Sequence, residues 1–207
     1  MNLAKICPVA AALAMTAFAT MVSAAELPSA KDAAKQLYKT GNRSTEVRIL
    51  HPELVPEAYK GALEKAASIQ HYYEALAASP TEGMLAPSAV HAINHHTAAA
   101  AHAAAIAGCN AKKKAGSDTC VVVAEFLPKA YRGPGGFSLS YNATEVFRGK
   151  YRRAAKPKAF AISAASGEWG QAIKAGSDAA AGQAALADCA AKAVRQNVND
   201  CVLVSRD

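Results

Sequence analysis

Four of the six histidines of this chain crowd into one short stretch, and they are the first candidates for chemistry. They are His91, His95, His96 and His102. Neutral imidazole is a common ligand for zinc or copper, so the cluster predicts a periplasmic metal-binding site. On one continuous helix three of them would share a face, but Thr97 is a good N-cap residue and indicates that a helix begins there. The alternative is a set of histidines that flank a helix start and bind no metal.

A group of basic residues is the second candidate. Residues 133–136 predict a loop, after which Ser140 is expected to cap a helix that runs to about Ala154. The basic residues near the end of this helix are Arg148, Lys150, Arg152, Arg153, Lys156 and Lys158. They complement the helix dipole, and they also predict a surface for an anionic partner such as a phospholipid head group, lipopolysaccharide or an acidic protein. Phe147 and Tyr151, one turn apart, are expected to anchor the helix.

Residues for catalysis are sparse. The chain has no GxSxG, SxxK, HExxH or CxxC motif, and its carboxylates are scattered. Glu82 and Glu168 lie beside turns that correspond in the two halves of the chain, so a carboxylate pair would make an envelope hydrolase the third candidate function. We predict that the protein uses no cofactor.

The first residues have the layout of a secretory signal. Lys5 precedes an uncharged apolar stretch at 9–22, and Val22-Ser23-Ala24 ends in the small residues that a signal peptidase prefers. We predict a signal peptide over 1–24, cleavage near Ala24, and a periplasmic or secreted protein without a transmembrane anchor after processing. The formal net charge of +7 is compatible with anionic partners, but export makes nucleic acid an unexpected one.

Cysteine spacing is the strongest structural signal. Beyond the signal peptide the cysteines are Cys109, Cys120, Cys189 and Cys201. The first two lie in the segments AAIAGC and DTCVVV, and the last two lie in the similar segments AALADC and NDCVLV. Four cysteines permit three pairings, and the symmetry of the pattern favours one local disulfide in each half.

The similarity between the halves extends upstream. ALAAS at 75–79 resembles AFAIS at 159–163, and Gly83 and Gly167 each follow four residues after the serine. Thr97 and Ser177 then precede alanine-rich stretches with helical periodicity, and valine-rich stretches follow the cysteines. Each copy therefore predicts strand, turn, strand, helix and strand.

These elements predict an α+β fold made of two pseudo-symmetric ββαβ repeats, at 71–128 and 159–207, which complete a shared sheet. Residues 129–158 form the Gly/Pro loop and the basic connector helix. Residues 25–70 form an N-terminal helical region, with helices at 31–38 and 56–69 around an irregular or short extended piece.

The pattern of an Ala-x-Ser strand, a glycine turn, an Ala-Ala-Leu-Ala-x-Cys helix and an Asp-Cys-Val-x-Val strand resembles an exported bacterial family called domain of unknown function 4189. The match is clearest over 159–204. Some alphaproteobacterial sequences of this kind are labelled 5-aminolevulic acid synthase, but such a pyridoxal-phosphate enzyme needs a chain about twice as long and a Schiff-base lysine. The resemblance implies a fold and a compartment, and the expected function is a non-enzymatic binding or structural module of the cell envelope.

Overall fold

Hydroxyl caps determine where most of the helices begin. The computed structural model describes residues 26–207. Thr97, Ser140 and Ser177 each accept a hydrogen bond from the backbone amide three residues later, as the sequence predicts, and Ser29 does the same. The helices are α1 (Ala30–Gln36), α2 (Glu57–Ala66), α3 (Ala98–Lys112), α4 (Tyr141–Val146) and α5 (Asp178–Ala193). A π-helical turn, Phe147–Tyr151, continues α4, and we call residues 141–153 the connector helix.

The first sheet is antiparallel and has four strands. They are β1 (Thr45–Ile49), β2 (Glu74–Ala78), β3 (Val90–Ala92) and β4 (Val121–Pro128), in the order β1-β4-β2-β3. β2 and β3 form a hairpin, and α3 then crosses one face of the sheet before β4 returns beside β2. This half therefore has the strand, strand, helix and strand order.

The second sheet has three antiparallel strands. They are β5 (Ala159–Ser163), β6 (Trp169–Ala172) and β7 (Cys201–Arg206), in the order β6-β5-β7, and α5 packs over them. The prediction of one sheet shared by both halves is wrong. The strands of the two halves form separate sheets, and β4 has β1 on one side and β2 on the other.

The N-terminal region contributes more than helices. Its extended piece, Thr45–Ile49, pairs with β4 along its whole length, from Thr45 opposite Pro128 to Ile49 opposite Ala124. The description of 25–70 as a helical region is therefore incomplete. A short edge strand leaves little periodicity to detect, and its partner lies far along the chain.

Both predicted disulfides are present. Cys109 bonds to Cys120 and Cys189 bonds to Cys201, each with a Cα–Cα distance of 6.1 Å. Each ties the end of an alanine-rich helix to the start of the strand that follows, because the two cysteines are only 11 or 12 residues apart. Closing so short a loop contributes about 3 kcal/mol on the chain-entropy model.

Small residues allow each helix to lie close to its sheet. In the second half Ala161, Ala181 and Ala185 are completely buried between β5 and α5. Gly170 lies so close to α5 that a side chain there would collide with the α5 backbone at Ala185. Because alanine buries little apolar area, such an interface contributes less free energy of folding than one built from leucine or valine.

Aromatic side chains build a second kind of core around the connector helix. Phe147 and Tyr151 are fully buried, as predicted, and they pack against each other and against Phe160 of β5 with ring centroids 4.9 to 5.2 Å apart. Alanines of α1 pack in the same cluster. The connector helix is thereby fixed between α1 and the second sheet.

The predicted signal peptide lies outside the described residues. Over residues 26–207, none of the helices combines the length and the apolar character that crossing a membrane would require.

Replacing either cysteine pair by serine should destabilise the protein by about 3 kcal/mol, because the denatured chain regains loop entropy. Urea denaturation of C109S/C120S and C189S/C201S would measure the loss. Non-reducing peptide mapping of the unaltered protein should recover two local pairs, and peptides joined across the halves would contradict the fold.

Gly167 and Gly83 offer a matched test of the packing between the halves. Both have positive φ, at +73° and +82°, so alanine should cost about 1 kcal/mol at either position. At Gly167 the new methyl group would also collide with the backbone carbonyl of Asn94, which should add about 1–3 kcal/mol, whereas at Gly83 no atom of residues 26–207 would lie within 4 Å of it. Equal unfolding free energies for G167A and G83A would show that this contact is absent.

Candidate functional site

Two of the four clustered histidines form separate pairs with buried glutamates. His91 on β3 places Nε2 3.0 Å from Oε2 of Glu74, and His102 on α3 places Nε2 2.8 Å from Oε2 of Glu125. Glu125 pairs with Ala75 across β2 and β4, so Glu74 and Glu125 point to opposite faces of the sheet. The two pairs therefore cannot share one metal ion.

His96 has a structural role. It is 2% exposed, its Nε2 donates a hydrogen bond to the backbone carbonyl of Glu168 at 3.0 Å, and its Nδ1 accepts one from the backbone amide of Ser140 at 2.9 Å. Burial lowers the pKa of His96 to about 4. Both ring nitrogens of the neutral imidazole are occupied by the protein, so neither is free to bind a metal.

His95 is also buried, and desolvation lowers its pKa. The structure thus distributes the four histidines over both faces of a sheet and an internal loop. Within the part of the chain from 26 to 207, no group of three or more His, Cys, Asp or Glu side chains is arranged to hold a metal ion. The metal site predicted from His91, His95, His96 and His102 stays a prediction that this geometry does not favour.

The two turn carboxylates belong to separate hydrogen-bond networks. Glu82 accepts hydrogen bonds from the Ser117 and Ser88 hydroxyls and from the Lys114 amide, and these bonds lower its pKa to about 2. Glu168 instead accepts a hydrogen bond from the side-chain amide of Gln196 at 3.2 Å. The structure does not bring them together as a catalytic pair.

The basic connector residues have three different environments. Arg148 is half-buried, and its Nη1 donates to the backbone carbonyls of Leu37 and Tyr38, both at 3.1 Å. These carbonyls follow the end of α1, so Arg148 ties α1 to the connector helix. Arg152 and Arg153, one turn further on, are exposed.

Lys158 does not belong to the exposed basic surface that was predicted to bind an anionic partner. It is 3% exposed, and its Nζ donates to the backbone carbonyls of Tyr151, Arg152 and Ala154 at 2.9 to 3.2 Å. Its ammonium group satisfies the carbonyls at the end of the connector helix, where the helix dipole favours a positive charge. Lys158 therefore cannot contact an outside partner in this fold.

The remaining predicted cations are accessible. Lys150 and Lys156 are exposed, and Lys156 lies 3.5 Å from Oδ1 of Asp207. Arg148, Arg152 and Arg153 line a depression of about 490 Å³, which we call the central depression. Lys39, from the loop after α1, lines it as well.

Sequence reasoning missed Lys39 as a site residue. It is far from the connector helix along the chain. Packing of α1 against Phe147, the bonds from Arg148 to the Leu37 and Tyr38 carbonyls, and the bond from the Gly41 amide to the Tyr141 hydroxyl bring the two segments together. The surplus of basic residues at 31–43 is the only signal in the sequence that could have suggested it.

Comparison with known proteins gives no match to a protein-family model, to a curated protein or to a solved structure. The resemblance to domain of unknown function 4189 therefore stays a prediction from the residues that carry it.

Titration of His96 should make folding stability depend on pH. Its pKa is about 4 in the folded state and about 6.5 when unfolded, so between these values the unfolded chain binds the extra proton and stability falls as the pH falls. The loss attributable to His96 should approach about 3 kcal/mol when the pH reaches 4.

Urea denaturation at pH 7, 5 and 4 would measure this dependence. H96Q should be less stable than the unaltered protein at pH 7 but should lose less stability on acidification, whereas H51Q, at a partly exposed position, should follow the unaltered protein. Parallel pH profiles for all three proteins would contradict a buried neutral His96.

Proposed function

We propose that this chain is an exported, non-enzymatic binding module that uses the exposed face of its connector helix to hold an anionic, phosphate-bearing component of the cell envelope. The single observation that carries the proposal is the central depression, in which Arg148, Arg152, Arg153 and Lys39 converge. Phosphate groups are recognised by such clusters of guanidinium and ammonium groups.

The charge balance around the central depression supports this function. Glu145 is the one carboxylate among its lining residues, and within residues 26–207 no carboxylate forms an ion pair with Arg148, Arg152 or Arg153. Unpaired cations that share a concave surface repel one another, and a bound anion would relieve that repulsion.

Packing and hydrogen bonds hold the backbone that carries the arginines. Arg148 is held by two backbone carbonyls, and the helix that carries Arg152 and Arg153 is fixed by the buried Phe147 and Tyr151. A preformed arrangement loses less conformational entropy when a ligand binds. The connector helix therefore suits binding better than a mobile basic tail would.

The two disulfides fit a periplasmic or extracellular protein, since such compartments favour oxidation of thiols. The proposal includes a signal peptide over 1–24 with cleavage near Ala24, on the basis of its charge and apolar pattern. A periplasmic address would place the connector helix within reach of lipid head groups and phosphorylated polysaccharides.

We further propose that the two halves are diverged copies of one unit. Matching irregularities support this idea: each has a change of register in its central pairing, between Leu76 and Ala77 and between Phe160 and Ala161. Matching hydrogen bonds support it too. In the first half, the amide of His95 donates to the Tyr73 carbonyl, 22 residues earlier, and in the second the amide of Ala175 donates to the Pro157 carbonyl, 18 residues earlier. The difference equals the four extra residues that the first half has between Gly83 and Thr97.

R152A/R153A should weaken binding to a phosphate-bearing probe by about tenfold, since it removes two of the four cations of the central depression. K112A/K114A is the matched control: it removes the same charge from the exposed end of α3 and should change affinity by less than about twofold. Binding to inorganic polyphosphate and to phosphatidylglycerol vesicles would be measured by calorimetry and by sedimentation.

Binding should also weaken steeply between about 50 and 200 mM salt. The proposed function would be wrong if neither probe binds at the lower salt concentration, or if the two double variants lower affinity equally.

A further inference from the structure

The basic surface extends beyond the connector helix on the side of the 38–44 loop. A depression of about 610 Å³ lies between this loop and residues 128–132, and we call it the loop depression. Its cations are Lys39, Arg43, Lys129 and Arg132. No carboxylate is among its lining residues in the described part of the chain.

The basic surface also extends in the other direction, towards α1. A depression of about 250 Å³, the α1 depression, is lined by Lys31 and Lys35 together with Arg148 and Arg152. Lys35 lies 2.7 Å from Asp32, but both side chains are more than half exposed, so water screens that ion pair. The positive charge of Lys35 therefore remains available to a ligand.

The three depressions adjoin one another. Lys39 and Thr40 line both the loop depression and the central depression, and Arg148 and Arg152 line both the central depression and the α1 depression. Together they form a basic track with nine lysine and arginine side chains, for which Glu145 is the one carboxylate among the described lining residues.

We infer that the ligand of this surface is a linear polyanion, a chain of phosphate-bearing units that lies along the basic track. This inference rests on the proposed function and names its ligand class. A single phosphate group would occupy part of one depression and leave the cations of the other two without a counter-charge. A chain with an anionic group on each unit would meet all three depressions in turn and release the counterions held along the track.

The shape of the track favours a chain over a membrane surface. The charges of the track line adjoining concavities, which a flexible polymer can enter, whereas a flat bilayer would contact only their rims. Several weak contacts on one chain also act together, because the first contact raises the effective concentration of the next anionic unit at its own depression.

Chain length is the variable that tests this inference. Calorimetry would compare inorganic polyphosphates of about 3, 15 and 60 units, and affinity per phosphate should rise at least about tenfold from the shortest to the longest. The salt dependence should steepen in the same order, since a longer chain displaces more counterions.

Variants at the two ends of the basic track test the loop depression and the α1 depression separately. K129A/R132A alters the loop depression and K31A/K35A alters the α1 depression, and all four side chains are exposed. Each variant should weaken binding of the longest chain by about tenfold and binding of tripolyphosphate by less than about threefold. K112A/K114A should again change neither, and circular dichroism would check that each variant is folded.

The possible failures are distinct. If affinity per phosphate is independent of length, or if end variants match the control while R152A/R153A still weakens binding, the linear-chain inference is wrong and the proposed function stands. If phosphatidylglycerol vesicles bind and long polyphosphate does not compete with them, the surface is a membrane contact and the inference is also wrong. If no phosphate-bearing probe binds, the proposed function itself fails.

Discussion

The buried imidazole of His96 joins three parts of the chain at one point. It belongs to the loop before α3 in the first half, it donates to the carbonyl of Glu168 in the second half, and it accepts from the amide of Ser140, which caps the connector helix. The Ser138 hydroxyl adds a further bond to the His96 carbonyl at 2.6 Å. Neutral imidazole can donate and accept at once, and burial keeps it neutral, so Nδ1 can accept from the Ser140 amide only while the ring stays unprotonated.

The bond between His96 and Ser140 positions the start of the connector helix, and the orientation of this helix determines which basic residues are exposed. Phe147 and Tyr151 face the aromatic core, which turns the opposite side of the helix to solvent and exposes Arg152 and Arg153. Arg148 and Lys158 stabilise the fold, since each donates hydrogen bonds to backbone carbonyls near a helix end. Lys158 thus only holds the helix end, Arg152 and Arg153 present charge to solvent, and Arg148 does both because it also lines the central depression.

The modest cores of the two halves explain the need for disulfides. Alanine stripes allow α3 and α5 to lie close to their sheets, but each alanine removes little apolar surface from water. A short covalent loop lowers the entropy of the unfolded chain without requiring a larger core. The two halves are small, and larger aromatic side chains pack around the connector helix.

Local features of this protein were determined by the sequence alone. The caps at Thr97, Ser140 and Ser177, the two disulfides and the strand at Ala159–Ser163 all depend on residues close together in the chain, where side-chain chemistry and periodicity act directly. A hydroxyl three residues from an amide, or two cysteines a dozen residues apart, leaves a signal that needs no knowledge of the fold.

Only the tertiary structure decided which of the candidate site residues act together. It placed Thr45–Ile49 in the first sheet, buried Lys158, separated the histidines and brought Lys39 to the connector helix. Each of these outcomes depends on contacts between residues far apart in the chain, and charge or histidine content is the same whether a side chain is buried or exposed. Burial, and with it the distinction between a structural cation and an available one, is a property of packing in three dimensions.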